Sequence, residues 1–112
     1  MAKGGFPGGF NMNDLMKQAR KMQDDIEKTK EALESMTVEA AVGGGVVKAV
    51  ATGGMRIQDI IIDESVIDPE DPEMLRDLII SAVNESLRLA DEMSQREMAK
   101  VTGGMGSIPG MR

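Results

Sequence analysis

The sequence predicts an α/β chain of the α+β type: a long N-terminal helix, a three-stranded antiparallel meander and a long C-terminal helix. Three observations predict it. Apolar residues recur at heptad spacing near the start. Glycine pairs and triplets cut a Val- and Ala-rich middle into short runs. A second apolar stripe follows an Asp-Pro-Glu start. At 112 residues the chain has the size of one domain. Residues 12–102 are expected to fold as that single domain, flanked by flexible Gly-rich tails at 1–11 and 103–112.

In the first helix Met12, Leu15, Ala19, Met22, Ile26, Thr29, Leu33 and Met36 follow one another by alternating steps of three and four residues, the seam of a coiled coil. Asn13 suits an N-cap and Asp14 the first turn, so a helix over Asp14–Ser35 is expected, with a partner helix on the seam. At Thr37 the period changes. Thr37–Val42, Val46–Thr52 and Met55–Asp63 read as strands, separated by Gly43-Gly44-Gly45 and Gly53-Gly54. Strict alternation puts Ile57 and Ile61 on one face of the third strand and Ile60 and Ile62 on the other, so cover is expected on both faces.

Asp63–Glu73 is an acidic loop with Pro69 and Pro72, and Asp71-Pro72-Glu73 is a strong helix start. The second helix should run to about Val101, burying Leu75, Leu78, Ile79, Ala82, Val83, Leu89, Ala90 and Met93. At roughly 30 residues it would be about 45 Å long, more than the diameter of about 35 Å of a compact chain this size. It must protrude or pack on a second subunit, which points to a homodimer.

Composition removes most chemistry. With no Cys and no His there is no disulfide frame, no thiolate zinc site and no Ser-His or Cys-His pair. No glycine run continues into Gly-Lys-Ser/Thr, and the loop acids do not follow the EF-hand spacing. The expectation is a protein that is not an enzyme and that has no cofactor, metal or small-molecule substrate. No apolar run approaches the roughly 20 residues of a membrane span, and the first residues lack the apolar core of a signal peptide, so a cytoplasmic location without membrane contact is expected.

The net charge of −6 hides a segregation. Residues 1–30 hold six basic and four acidic groups, 31–95 four basic and fourteen acidic, and 96–112 three basic and one acidic. The first helix runs into the sheet and the second leaves it, so both basic ends should lie away from an acidic body. Lys17, Arg20 and Lys21, off the seam and within about one turn of each other, are the first candidate phosphate contacts, joined by Arg96 and Lys100. Lys3, Lys28 and Arg112 rank second. The only aromatics are Phe6 and Phe10, which disfavours base stacking on single strands and leaves double-stranded DNA as the expected partner. The alternative is an acidic, dimeric protein-binding adaptor or chaperone with coiled-coil arms, which the Met content suits.

Longer stretches sharpen the choice. Asn13-Asp14-Leu15-Met16-Lys17-Gln18-Ala19-Arg20-Lys21-Met22-Gln23 after a Gly-rich start resembles the YbaB/EbfC family of bacterial nucleoid-associated proteins. So do Ile60-Ile61-Ile62-Asp63 with its acidic loop, Glu73-Met74-Leu75-Arg76-Asp77-Leu78 leading to Ala82-Val83-Asn84, and Glu97–Met105. The resemblance implies an intertwined homodimer with protruding, tweezer-like helices that binds duplex DNA in the nucleoid through helix one and the C-terminal helix. The family's Met-Lys-Gln-Ala segment corresponds to Met16–Ala19, here extended by Arg20 and Lys21, and its C-terminal lysine to Lys100. Asp24 and Asp25 stand where the family often has another basic residue, which lowers the expected affinity.

Overall fold

The structure, a computed structural model, describes residues 12–103. The tail expected at 1–11, and all but Gly103 of the tail expected at 103–112, lie outside the described residues. The order is α1 (Met12–Leu33), β1 (Thr37–Val42), β2 (Val47–Thr52), β3 (Ile57–Ile62), one 3-10 turn (Glu64–Val66) and α2 (Pro72–Thr102).

α1 begins and ends two residues before the expected bounds. Met12 is already helical, so Asn13 lies inside the first turn and is not the cap. At the other end the N–H groups of Glu34, Ser35 and Met36 donate to carbonyls three residues back, at 3.2, 3.1 and 3.2 Å. The Ser35 hydroxyl donates to the Ala32 carbonyl at 3.0 Å. These tighter bonds satisfy the last carbonyls and close the helix at Leu33.

The sheet order is β1-β2-β3, antiparallel throughout. Gly43, Gly44 and Gly45 all have positive φ (64°, 78° and 99°), a run that only glycine enters at little cost. In the second turn Met55 takes φ 65°, while the Thr52 hydroxyl oxygen accepts from the Gly54 and Arg56 N–H groups at 3.1 and 3.4 Å. β3 carries a bulge. Val50 pairs with Asp59 and Ala51 with Ile57, leaving Gln58 as the extra residue. The extra residue resets the alternation. Ile57 therefore shares the face of Ala51, Ala49 and Ile60, and does not join Ile61 as strict alternation required.

α2 opens as its sequence dictates: the Asp71 carboxylate accepts from Met74 N–H at 3.2 Å and Pro72 takes the first turn. The helix lies along β1 and β2 and barely meets β3. Its contact face is small. Ala82, Ser86 and Ala90 are fully buried against a sheet face on which Val47, Ala49 and Ala51 are also fully buried. Small residues on both layers let backbone approach backbone, and Leu75, Leu78, Ile79 and Val83 then fill in around Val47, Ala49, Val66 and Ala82. Ser86, absent from the expected stripe, is tolerated because its hydroxyl donates to the Val83 carbonyl at 2.8 Å. Leu89, expected in the core, is only half-buried. Cover within the protomer is one-sided: the other sheet face, with Glu39, Ala41, Asp59 and Ile61, is exposed.

The acidic loop is built by its own carboxylates. Asp63 accepts from Ser65 N–H at 2.8 Å and Asp68 from Glu70 N–H at 2.9 Å, so these acids shape turns, as Asp71 does. Among the described residues no cluster of acids is arranged to hold a metal, and no helix is long and apolar enough to cross a membrane.

Two outcomes follow. A Cβ on Gly53 would stand 2.7 Å from both the carbonyl oxygen and a methyl of Leu33. Gly53→Ala should therefore cost about 1–3 kcal/mol, read as a lower urea midpoint. The Asp63 carboxyl is held below the ordinary carboxylate range, first by the Ser65 backbone N–H and then by its side chain. Its NMR titration midpoint should be lower than that of a free Asp, near 3.9. Its contribution to stability is then fully present above the unfolded midpoint and is lost as pH falls through the lowered folded one.

Candidate nucleic-acid interface

The charge-bearing helices differ in how they are supported. On α1, Met22, Asp25, Ile26 and Thr29 are half-buried and Leu33 is buried, while every residue from Met12 to Lys21 is exposed. The lower half of the seam is thus packed and the upper half is free. Leu33 and Met98 line one shallow cavity of about 260 Å³ with Lys30, Glu34, Gly53, Gly54 and Ser94, which fixes where the end of α1 meets α2. The molecule measures 83 × 28 × 16 Å. α2, with 31 residues, accounts for about 46 Å of that length. α1 continues past it as an arm.

That junction decides which cations meet. Lys17 stands about 24 Å of helix before Leu33, whereas Lys100 lies about 3 Å beyond Met98. Lys17 is therefore about 20 Å further out along the arm than Lys100, and Arg20 and Lys21 about 15 Å further. The expected meeting of both basic ends at one tip is replaced by a staggered arrangement within the protomer. On α1, Lys30 lines the junction cavity together with Ser94 and Met98, each two residues before Arg96 or Lys100 along α2. Nothing in the order of residues revealed this, because the overlap of two helices is set by where the sheet turns the chain.

Around the helix, at about 100° per residue, Lys17, Lys21 and Lys28 fall within about 40° of one another and nearly opposite the seam, with Arg20 beside them. Asp24 sits inside this stripe. All five expected site residues are exposed. Lys17, Arg20 and Arg96 make no ion pair among the described residues. Lys21 pairs with Asp25 at 3.3 Å and Lys100 with Glu97 at 3.0 Å. Such surface pairs are worth about 0–1 kcal/mol and exchange readily for a phosphate.

Arg88, by contrast, is clamped at 2.6 Å by both Glu85 and Glu92, and its guanidinium is pushed further toward the charged form by the bond to Glu85. The same bond holds the Glu85 carboxyl below its ordinary range. Arg76 is paired with Asp77 at 3.2 Å. Arg76 and Arg88 are thus partnered by acids of their own helix, whereas Lys17, Arg20, Lys28 and Arg96, like Lys48 and Arg56 of the sheet region, make no ion pair among the described residues. Lys30, exposed and without an ion pair among the described residues, belongs with the second group although it was not singled out from the sequence.

The architecture is that of a small α+β protein, one helix laid over a three-stranded meander and a second helix projecting as a cationic arm. The chain belongs to the YbaB/EbfC DNA-binding family, which it matches over residues 8–105. It is 59% identical to a nucleoid-associated protein of Ruminiclostridium cellulolyticum, over 99% of both chains. It is also 59% identical to a nucleoid-associated protein of Acetivibrio thermocellus, again over 99% of both. The crystal structure of an uncharacterized protein from Helicobacter pylori shares the fold with a TM-score of 0.71 and 21% identity, covering 84% of this chain and 99% of that one.

Proposed function

We propose that this protein binds duplex DNA as a homodimer, mainly through phosphate contacts from Lys17, Arg20, Lys21, Arg96 and Lys100, and serves nucleoid organisation and gene regulation without catalysing a reaction. The observation that carries the reading is the arm: Lys17 and Arg20 are exposed, unpaired with any described acid, and turned away from the apolar seam, where they meet a polyanion without disturbing packing. Membership of a DNA-binding family and the names of relatives support the same partner.

The scarcity of aromatic side chains supports duplex over single-stranded substrate, since there is little for bases to stack on. Phosphate contacts position a protein on DNA but read little sequence. The acidic body supports a polar approach, with the arm toward the DNA and the body away from it. The homodimer is supported by apolar groups left open on the body, Ile61, Ile67 and Ile80 at 46, 55 and 50% exposure.

One observation favours a second reading, an adaptor that grips a polypeptide: Met12, Leu15 and Met16 on the arm are also exposed, at 68, 45 and 53%. The two readings separate by salt. Retention on heparin or DNA resin should be lost at moderate salt. A stoichiometric protein partner that survives high salt would support the adaptor instead.

Changing Lys17, Arg20 and Lys21 together to Glu should abolish the gel shift of duplex DNA while leaving the helical circular dichroism intact; an unchanged shift would refute the site. With about six to eight phosphates contacted per dimer, log K should fall against log salt with a slope near −5 to −7. Asp24→Lys, which completes the cationic stripe, should tighten binding about three- to tenfold and steepen that slope by about two, one for each arm of the dimer.

A further inference from the structure

The outer half of the α1 seam divides the arm into two faces of different chemistry. Met12, Leu15, Ala19 and Met22 keep the alternating steps of three and four residues, and Met12, Leu15 and Met16 stand 68, 45 and 53% exposed. Gln18 and Gln23, which flank them, are neutral. Within about 80° of the seam's centre this half of the arm carries no charged side chain, whereas Lys17 lies about 180° away. Phosphate contact uses the second face and leaves the first open. A continuous exposed apolar stripe bounded by polar residues marks a surface that meets another molecule.

We infer that this face pairs with the same face on the arm of a separate molecule, side by side and antiparallel, and that the pair ties two DNA duplexes together. The tie rests on the DNA-binding reading above, and the pairing rests on the seam. Three features select an arm as the occupant. In an antiparallel pair centred at the level of Lys17, Leu15 falls against Ala19 of the other copy and Met12 against Met22, so large meets small in the central layers. A parallel pair would stack Ala19 on Ala19 and leave a void there. Second, α2 runs opposite to α1, packs on the inner half of the seam and ends at Thr102. An antiparallel arm has the direction of α2 and continues the cover along the same stripe.

The third feature is charge. The pairing buries no ionic group, since the flanking positions are Met and Gln. From the level of Lys17 to Leu33 is about 24 Å of helix, so the acidic bodies stand about 48 Å apart at the roots of the paired arms, several Debye lengths. The cations stay on the two outer sides of the pair, where each arm meets its own duplex. That placement also argues against a lipid surface, because an interfacial helix needs its lysines at the edge of the apolar face to reach headgroups. A seam of about one and a half heptads holds weakly by itself, so the contact forms where DNA concentrates the arms.

Capture of a fluorescent duplex by a bead-tethered one, in the presence of the full chain, tests this, with a gel shift of one short duplex as the control. Wild type should shift the short duplex and capture the second one. Changing Met12 and Leu15 together to Gln keeps charge and helix propensity. It should lower capture about tenfold or more and leave the gel-shift dissociation constant within about twofold. Leu15→Ala alone should lower capture, and adding Ala19→Leu should bring it back to within about threefold of wild type, because large and small side chains exchange places within one layer. Unchanged capture by the Gln variant, a failed rescue, or a gel shift lost with the seam would each overturn arm pairing while leaving DNA binding standing. Phosphatidylglycerol vesicles or a stoichiometric polypeptide, bound by wild type and released by the Gln variant, would assign the face to that occupant and overturn the pairing as well. A wild type that shifts no duplex would overturn the DNA reading itself.

Discussion

The close approach of α2 to the sheet is the constraint on which the rest of this molecule depends. Ala82, Ser86 and Ala90 present almost no side chain, and the sheet answers with Ala40, Ala49 and Ala51. The stabilisation at the centre therefore comes from dense backbone-level packing and from Val47, Leu75, Leu78, Ile79 and Val83 around its edge. Burying one Val or Leu contributes about 1.5–3 kcal/mol, so a handful of such side chains is most of the margin of a small domain. Gly53, pressed against Leu33, extends the same close fit to the end of α1.

Because α2 is anchored along β1 and β2, the two ends of the molecule acquire different characters. At the hairpin end α2 begins against Gly43, whose missing side chain leaves room for Leu78, and the aspartate-capped loop folds over the core through Val66. That end is acidic and keeps an apolar groove open. At the other end α1 and α2 overlap for a few turns, after which α1 continues alone. Lys17 and Arg20 there make no ion pair among the described residues, so that end stays cationic on a molecule with an overall negative charge. Function on this reading is a matter of which cations remain unneutralised: Arg88, held by two glutamates, is not available, and Lys17 and Arg20 are.

Much of this was legible in the chain. Glycine runs marked both turns, because three successive positive φ angles are accessible to glycine alone at little cost. The change from a seven-residue period to a run of Val and Ala marked the passage from α1 to β1 within two residues. Asp71 and Pro72 gave the start of α2 to the residue. The illegible parts have identifiable causes. The bulge at Gln58 leaves no compositional mark, so Ile57 was placed on the wrong face. Ser86 reads as polar although its hydroxyl is satisfied within its own helix turn. Asn13 resembles a cap, but helix continues through it toward the N-terminus.

By itself the sequence determined the elements, their order, the segregation of charge and the family, since each of these is written in local spacing or in composition over tens of residues. Only the tertiary structure decided how far α1 slides along α2, and hence that Lys17 lies about 20 Å beyond Lys100. It alone decided which cations are neutralised by acids one turn away and which apolar side chains of the body stay open. Those outcomes depend on the register between elements distant in the chain, a quantity fixed by packing against the sheet and carried by no single stretch of residues.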